Sequence, residues 1–448
     1  MKKMAVLLAG LTLAASPVAA NEYDDRLSSL EAMVEKLTGS IVERDRTIDQ
    51  LQQSLRRLDA SEQTTPAAAR QEAVVVSKDE VRRIVAEFND KSPEPDFLSR
   101  FSFGGYGEIH ANIAEGDDAG GDSNDQLDIH RFVTYVGYDF ADWLKFTSEI
   151  EIEHAMVSSG DGGELELEQA YLDFLLSDYA NIRVGRTLVP VGYLNQHHEP
   201  TTFNGVERPN FYKYVVPTTW WSDGIGLFGA LGDITYQLAY LGGMDGSGVS
   251  SSGIRGGRLK ERPSLNDPAY ALRLDYTPFA SRDLTLRLGT SLYYSGLDNG
   301  NKGNDPGVEA DLAIYEADFS FSYGDLDLVG AMAWERIDGA ESLAAGVAEE
   351  IFGYYLEAGY HVMPSAWQTG KLANADAVFF VRYDEYDTQA NMPTGQLADA
   401  AQDRRDLTLG VSFWPTTNVV VKADYQILRS DADEDPDNTI NFGIGWQF

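Results

Sequence analysis

Ile440-Asn441-Phe442-Gly443-Ile444-Gly445-Trp446-Gln447-Phe448 closes the chain with an apolar residue at every second position and an aromatic residue at the end. Side chains of a β-strand alternate between faces, so Ile440, Phe442, Ile444, Trp446 and Phe448 share one face, and Asn441, Gly443, Gly445 and Gln447 the other. This is the form of the last strand of a membrane barrel, apolar toward lipid and small or polar toward a lumen. A strand of a soluble sandwich alternates in the same way, and repetition along the chain is what separates the two.

Sixteen segments read as strands, beginning near Phe101, Ile129, Trp143, Glu164, Asn181, Asp223, Asp233, Pro268, Leu284, Glu309, Leu326, Glu350, Ala375, Arg404, Val419 and Thr439. In 270–276 the bulky residues Tyr270, Leu272, Leu274 and Tyr276 point one way and Arg273 and Asp275 the other; 284–288 repeats the arrangement. Tyr138, Phe140, Trp143, Tyr276, Phe279, Phe413 and Trp414 fall near strand ends, as an interfacial girdle requires. The connections after even-numbered strands are short (141–142, 177–180, 231–232, 324–325 and 415–418), with 363–374 the longer one. Those after odd-numbered strands are long and rich in Gly, Asp and Asn: 114–128, 244–267, 295–308, 387–403 and 429–438. Short turns face the periplasm in an outer-membrane barrel and long loops face outward, so the first strand starts on the periplasmic side.

The front of the chain fits that destination. Met1-Lys2-Lys3, an apolar run from Ala5 to Ala15 and the small residues Val18-Ala19-Ala20 make a signal peptide over 1–20. The run is too short to span a bilayer, and no later stretch approaches the roughly 20 apolar residues of a membrane helix. The chain has no cysteine, so an exported disulfide scaffold is excluded and a large closed fold must supply the stability. Removing 1–20, with two lysines and no acid, takes the formal charge from −36 to −38. Such a field repels nucleic acid and attracts cations, among them those bridging lipopolysaccharide phosphates at the lipid surface; acidic loops also serve solubility.

Between signal and barrel lie two helical patterns. Leu27, Leu30, Val34, Leu37, Ile41, Ile48, Leu51, Leu55 and Leu58 recur at steps of three and four with only Arg44 breaking the seam, which gives a coiled coil over 21–62. β-Branched Val34, Ile41 and Ile48 at one core position and Leu30, Leu37 and Leu51 at the other lean toward two strands. Over 63–98 runs a linker containing Pro66, then a short amphipathic helix opened by Ser77-Lys78-Asp79-Glu80 in capping-box form. The fold class expected is therefore an all-β transmembrane barrel of about 16 antiparallel strands over 99–448, preceded by an α-helical coiled coil in the periplasm.

At that strand number side chains no longer fill the interior, and an aqueous channel remains. The longest connection, 190–222, carries Pro190, Pro200, Pro209 and Pro217 and the aromatics Tyr193, Phe203, Phe211, Tyr212, Tyr214, Trp220 and Trp221, which need cover. Folding into the lumen as a constriction supplies it, in preference to capping the outer mouth.

Phe103-Gly104-Gly105-Tyr106-Gly107-Glu108, Leu127-Asp128-Ile129-His130-Arg131-Phe132 and especially Glu166-Leu167-Glu168-Gln169-Ala170-Tyr171-Leu172-Asp173-Phe174 resemble the phosphate-selective-porin-like (porin O/P-like) family of Gram-negative outer membranes. Val184-Gly185-Arg186 with Pro190-Val191-Gly192, and Phe203-Asn204-Gly205-Val206-Glu207-Arg208-Pro209, also fit. The likeness covers most of 101–448 and leaves out the coiled coil. It implies a homotrimer of sixteen-stranded channels with an inward third loop. Phosphate-selective members carry a lysine ladder, and this chain has no comparable run; siderophore uptake is a weaker analogy.

Inward positions carry both signs. The pore-lining and constriction candidates are Arg131, Lys145, Glu149, Glu151, Arg183, Arg273, Arg287, Arg382 and Lys422 on the wall, with Arg208 and Lys213 on the long loop, and the arginines are expected to face loop carboxylates. Glu149, Glu151 and Glu153 approach Glu164, Glu166 and Glu168 across a hairpin tipped by Gly160, and the reading is a solvated acidic vestibule, with a metal or solute-cation site near the mouth as the alternative. His197-His198-Glu199 reads as polar lining, with no metal and no cofactor assigned. Phe448 is assigned to assembly. With no G-x-S-x-G, no cysteine nucleophile and no H-E-x-x-H, an enzyme is disfavoured. The function expected is an outer-membrane porin, a water-filled channel for passive diffusion of small hydrophilic solutes and ions; the alternatives are a channel selective for phosphate, other anions or siderophores, and a barrel-anchored tether whose coil touches the cell wall or a periplasmic partner.

Overall fold

The computed structural model describes residues 97–115, 125–154, 163–259, 261–281, 283–432 and 437–448. The signal peptide, the coiled coil, the helix after it and the hairpin tip at Gly160 lie outside the described residues. Sixteen strands follow in order: β1 (Phe101–Glu115), β2 (Gln126–Ala141), β3 (Leu144–Glu153), β4 (Leu165–Phe174), β5 (Asn181–Leu188), β6 (Trp221–Leu231), β7 (Ile234–Gly242), β8 (Pro268–Ala280), β9 (Leu284–Gly296), β10 (Asp311–Tyr323), β11 (Leu326–Asp338), β12 (Glu350–His361), β13 (Asp376–Asn391), β14 (Asp403–Thr416), β15 (Val419–Ser430) and β16 (Asp437–Gln447). Each pairs antiparallel with its neighbours in sequence, and β1 pairs with β16 to close the barrel.

At the seam Ile109 lies opposite Ile444 and Gly107 opposite Trp446. Phe448 continues the ladder: its N–H donates to the Gly105 carbonyl at 2.9 Å and its carbonyl accepts from the Gly105 N–H at 3.0 Å. Closure matters because hydrocarbon offers no partner to an unpaired backbone group. The alternation that opened the sequence reading is realised, with Phe442 and Ile444 exposed on the outer face and Asn441 buried on the inner one. The Phe448 ring lies 6.2 Å from that of Phe103 and 6.3 Å from that of Phe132, on the first two strands. Phe448→Ala is therefore expected to lower the amount of barrel inserted in cells while leaving single-channel conductance unchanged. Quantifying heat-modifiable protein in outer-membrane fractions checks this, and normal insertion with altered conductance would refute it.

Trp414 departs from the girdle reading. Phe413 pairs with Val421 on the outer parity, whereas Trp414 lines an interior cavity on the short-turn side. Strand ends also run further than the pattern indicated, β13 to Asn391 and β9 to Gly296. The periodicity is weakest there because the strands rise out of the apolar band and carry polar residues on both faces.

The lumen is not uniformly polar. Leu312, Ile314, Ala333, Ile337 and Ile351 point inward from β10 to β12 and join Val191, Phe211, Tyr212, Val215, Val216 and Trp220 of the loop after β5 in one buried cluster. Met244, Val249 and Ile254 of the 243–267 loop complete it. Polar-lined cavities and an apolar, packed region thus share the interior.

Candidate pore constriction

The 189–220 loop turns into the barrel because its apolar side chains find cover only there. Phe211, Tyr212, Val215 and Val216 are fully buried, each such side chain contributing about 1.5–3 kcal/mol on leaving water. The Trp220 ring meets Tyr293 of β9 edge-on at 4.7 Å, and Tyr214 stacks on Tyr386 of β13 at 5.1 Å. Polar bonds then fix the register. The Val206 N–H donates to Asp424 at 2.6 Å, the Phe211 N–H to Asp384 at 3.0 Å, and Asn210 and Asn204 donate to Asp406 and Glu357 at 2.7 and 2.9 Å. The last strand makes room: a Cβ on Gly445 would stand 2.6 Å from the Pro200 Cβ, and one on Gly443 would stand 3.1 Å from Val206. The two glycines are the seat of the loop.

Two cavities flank this segment. The outer, about 640 Å³, reaches Asp128, Ser430 and Asp437 at the long-loop ends of their strands; the inner, about 540 Å³, reaches Asp327, His361 and Asp376 at the short-turn ends. Phe203 and Tyr212 line both, so the 203–212 segment is the partition between them.

The arginines expected to face loop carboxylates do something else. Buried Arg131 pairs with Glu108, donates to the Tyr106 hydroxyl at 3.1 Å and reaches the backbone carbonyl of His198 on the loop at 2.8 Å. Buried Arg382 pairs with Glu357 at 2.7 Å and donates to the loop carbonyls of Asn204 and Glu207 at 2.5 and 3.0 Å. Wall carboxylates neutralise these guanidinium groups, and their remaining donors hold loop backbone. Arg273 and Arg287 share Asp275 and Asp318, and Arg287 lies 3.9 Å from the Tyr193 ring centroid. Lys422 is buried with its Nζ 3.8 Å from the Phe203 ring centroid. The loop carboxylate Glu207 instead bonds His110 and Asn112 at 3.1 and 3.2 Å. Burial opposes its charge, but the His110 contact prevails and holds its carboxyl down at about 2.

Lys145 and Arg183 stand apart, at the short-turn ends of β3 and β5, paired with Asp139 at 3.1 Å and Asp173 at 2.7 Å. They belong to the short-turn rim rather than the narrow point. Arg208 donates to Thr218 Oγ1 at 2.7 Å, and Lys213 is exposed; both line the outer cavity.

The acidic hairpin is corrected too. Glu149, Glu151 and Glu168 are each at most 1% exposed, so the solvated vestibule is not found around them. Two β-bulges explain the crowding. Glu149 pairs with Gln169 and Ile150 with Leu167, leaving Glu168 extra; Glu108 pairs with Arg131 and Ile109 with Ile129, leaving His130 extra. A bulge breaks strict alternation and lets neighbours share a face. Gln169 accordingly donates to Glu149 at 2.6 Å.

Sequence reasoning missed four arginines. Arg255 and Arg258, from the loop after β7, donate to the Thr218 carbonyl at 3.2 and 2.8 Å, and Arg404 and Arg429 line the outer cavity with Arg255. Partial burial, then the neighbouring Arg258, pull the Arg255 guanidinium down to about 9. The available signal was Arg255-Gly256-Gly257-Arg258, two cations flanking glycines in an otherwise acidic set of loops.

The family description "Phosphate-selective porin O and P" matches residues 103–448. An uncharacterised protein of Aquifex aeolicus (strain VF5) is 31% identical over 366 residues, covering 78% of this chain and 80% of that one. Among solved structures, the anion-selective porin from Comamonas acidovorans aligns with a TM-score of 0.50 at 14% identity, covering 78% of this chain and 99% of its own. The outer membrane channel DcaP of Acinetobacter baumannii aligns with a TM-score of 0.50 at 13% identity, covering 78% and 97%. At those identities the likeness is one of fold. Together with the match across the whole barrel, it makes the chain an outer-membrane porin and a member of the phosphate-selective porin O and P family.

Proposed function

We propose that the channel passes small hydrophilic solutes and ions by passive diffusion through a constriction of mixed charge, with weak ion selectivity in molar salt that moves toward cations as salt is diluted. The observation that carries this reading is the balance of charge in the outer cavity. Arg208, Lys213, Arg255, Arg404 and Arg429 stand there against Glu108, Asp128, Glu207, Asp406 and Asp437. The inner cavity leans acidic, with Arg287 and Arg382 against Asp318, Asp327, Glu357 and Asp376. In this reading Arg208 and Lys213 meet the solute. Arg131, Arg273, Arg287, Arg382, Lys422, Glu149 and Glu151 form the frame that holds the loop, and Lys145 and Arg183 mark the periplasmic exit.

Screening over about 8 Å at physiological salt removes distant loop charge from the problem, so the acidic exterior acts only at low ionic strength. Reversal potentials in planar bilayers, across matched gradients at high and low mean salt, test the proposal. A strong anion preference that survives dilution would favour the phosphate-type channel instead; that alternative draws on the family name and on the exposed cations of the outer cavity. In this reading the segment before β1 lies in the periplasm, which the start of β1 at the short-turn end of the barrel supports. The homotrimer rests on family resemblance, and native mass spectrometry of the full chain tests it.

A further inference from the structure

Where the long loop meets β3 and β4, Glu149, Glu168 and His198 bring three ligand atoms within 4.8 Å of one another, all buried. His198 Nε2 lies 3.6 Å from a Glu168 oxygen and 4.0 Å from a Glu149 oxygen. Two donors on one tetrahedral zinc ion stand about 3.4 Å apart, close to the two distances from His198 Nε2.

A second observation, independent of the cluster's charge, points to a ligand. Among the described residues, the Nε2 of His198 has no hydrogen-bond partner although the ring is buried, and the buried Glu168 carboxyl meets no donor group, facing only the carboxyl of Glu151. A buried carboxylate without a donor costs far more than one that is paired. The nearest strand cation, Arg131, is already engaged by Glu108 and stands 3.8 Å from Glu151.

The surroundings hold the donors still. His198 Nδ1 is 2.9 Å from the Asn195 carbonyl, which fixes Nδ1 as the protonated nitrogen and turns the Nε2 lone pair toward the two carboxylates. Asn195 is itself locked, donating to the Val189 and Trp220 carbonyls at 2.8 and 3.0 Å and accepting from the Trp220 N–H at 2.9 Å. Glu149 is oriented by Gln169.

We propose that Glu149, Glu168 and His198 bind one divalent transition-metal ion, of the zinc type, which ties the inward loop to the β3–β4 wall. One imidazole nitrogen with carboxylate oxygens suits such an ion better than calcium or magnesium, which prefer all-oxygen sets. The bulge at Glu168 is what brings the third donor to the inner face. The ion is a strap for the constriction rather than a cargo, since its ligands are out of solvent.

Chelator-stripped full-length protein, titrated with zinc by calorimetry and then loaded with cobalt for visible absorption, tests this. The wild type is expected to take one ion per chain at this site and to show a cobalt spectrum of low coordination number. Glu168→Gln and His198→Ala are expected to weaken zinc binding by at least about 100-fold and to abolish the cobalt band, since even outer partners of metal ligands are worth 10–100-fold. His154→Ala, which takes a donor from the more exposed Asp128, His130 and His154 group, is expected to leave the cobalt band intact. Heat-modifiable migration establishes that each variant is a folded barrel. The proposal is overturned if the wild type binds no zinc, if it binds calcium or magnesium in preference, or if Glu168→Gln binds as tightly as wild type. In the last case protons shared among the carboxylates balance the site. Reversal potentials do not depend on the outcome, so failure here leaves the channel reading standing.

Discussion

Arg382→Ala is expected to give a channel of higher and noisier conductance that is also less stable. The guanidinium holds two loop carbonyls and neutralises Glu357, so its removal frees the 204–207 tip and strands a buried carboxylate. Removing one partner of a buried pair costs about 3–5 kcal/mol. The two effects separate in the double variant Arg382→Ala, Glu357→Gln. Without the stranded charge, stability should largely return, while conductance should remain high because the carbonyls are still unclamped. Single-channel recordings together with urea unfolding in detergent check both. Wild-type conductance in Arg382→Ala would show that the loop tip is held by Val206, Asn204 and Phe211 alone.

Arg273→Ala should be the most destabilising single change on the β8–β10 wall. Arg273 is fully buried and bonds Asp275 at 2.6 Å, Asp318 at 2.9 Å and Ser291 at 3.0 Å, with Glu316 at 3.6 Å. Arg287 is left to serve Asp275 and Asp318, and Glu316 is left with no cation. A loss of about 3–5 kcal/mol is expected, from Glu316 left without a cation and from Asp275 and Asp318 each losing one of their two. Arg273→Lys, which keeps the charge and loses the fork, should fall between the two. The temperature at which the folded band disappears in semi-native gels measures the order; equal values for all three proteins would refute it.

Much of this architecture was legible. Period-two alternation placed the strands, because it follows from a one-dimensional constraint that lipid and water impose on every strand. The proline- and aromatic-rich 190–222 segment declared its need for cover. What the chain hid was pairing at a distance. Nothing in the spacing of Arg131 and His198 announces that one holds the carbonyl of the other. Inward Leu312 and Ile314 of β10 look like outward residues because their cover comes from loops far away in sequence.

The bulges were half legible. In β4 the outward parity passes from Leu165 and Leu167 to Ala170, Leu172 and Phe174, and in β2 from Leu127 and Ile129 to Phe132. Each flip marks the extra residue, Glu168 and His130 respectively. Reading strict alternation through them gave the correct hairpin and the wrong solvent exposure for its carboxylates.

The glycines of the last strand tie narrowing to completion of the wall. Pro200 and Val206 lean on Gly445 and Gly443, and Thr201 donates to Gln447 at 3.0 Å, so the loop between β5 and β6 rests on the strand that closes the barrel against β1. The apolar face of the loop is covered elsewhere, by Tyr293, Leu312, Ile314 and Tyr386 of the wall, so β16 is not what shelters it. What the last strand supplies is a stop for the 200–206 stretch. The far wall holds the gate in place, and the closing seam sets how far the gate reaches across.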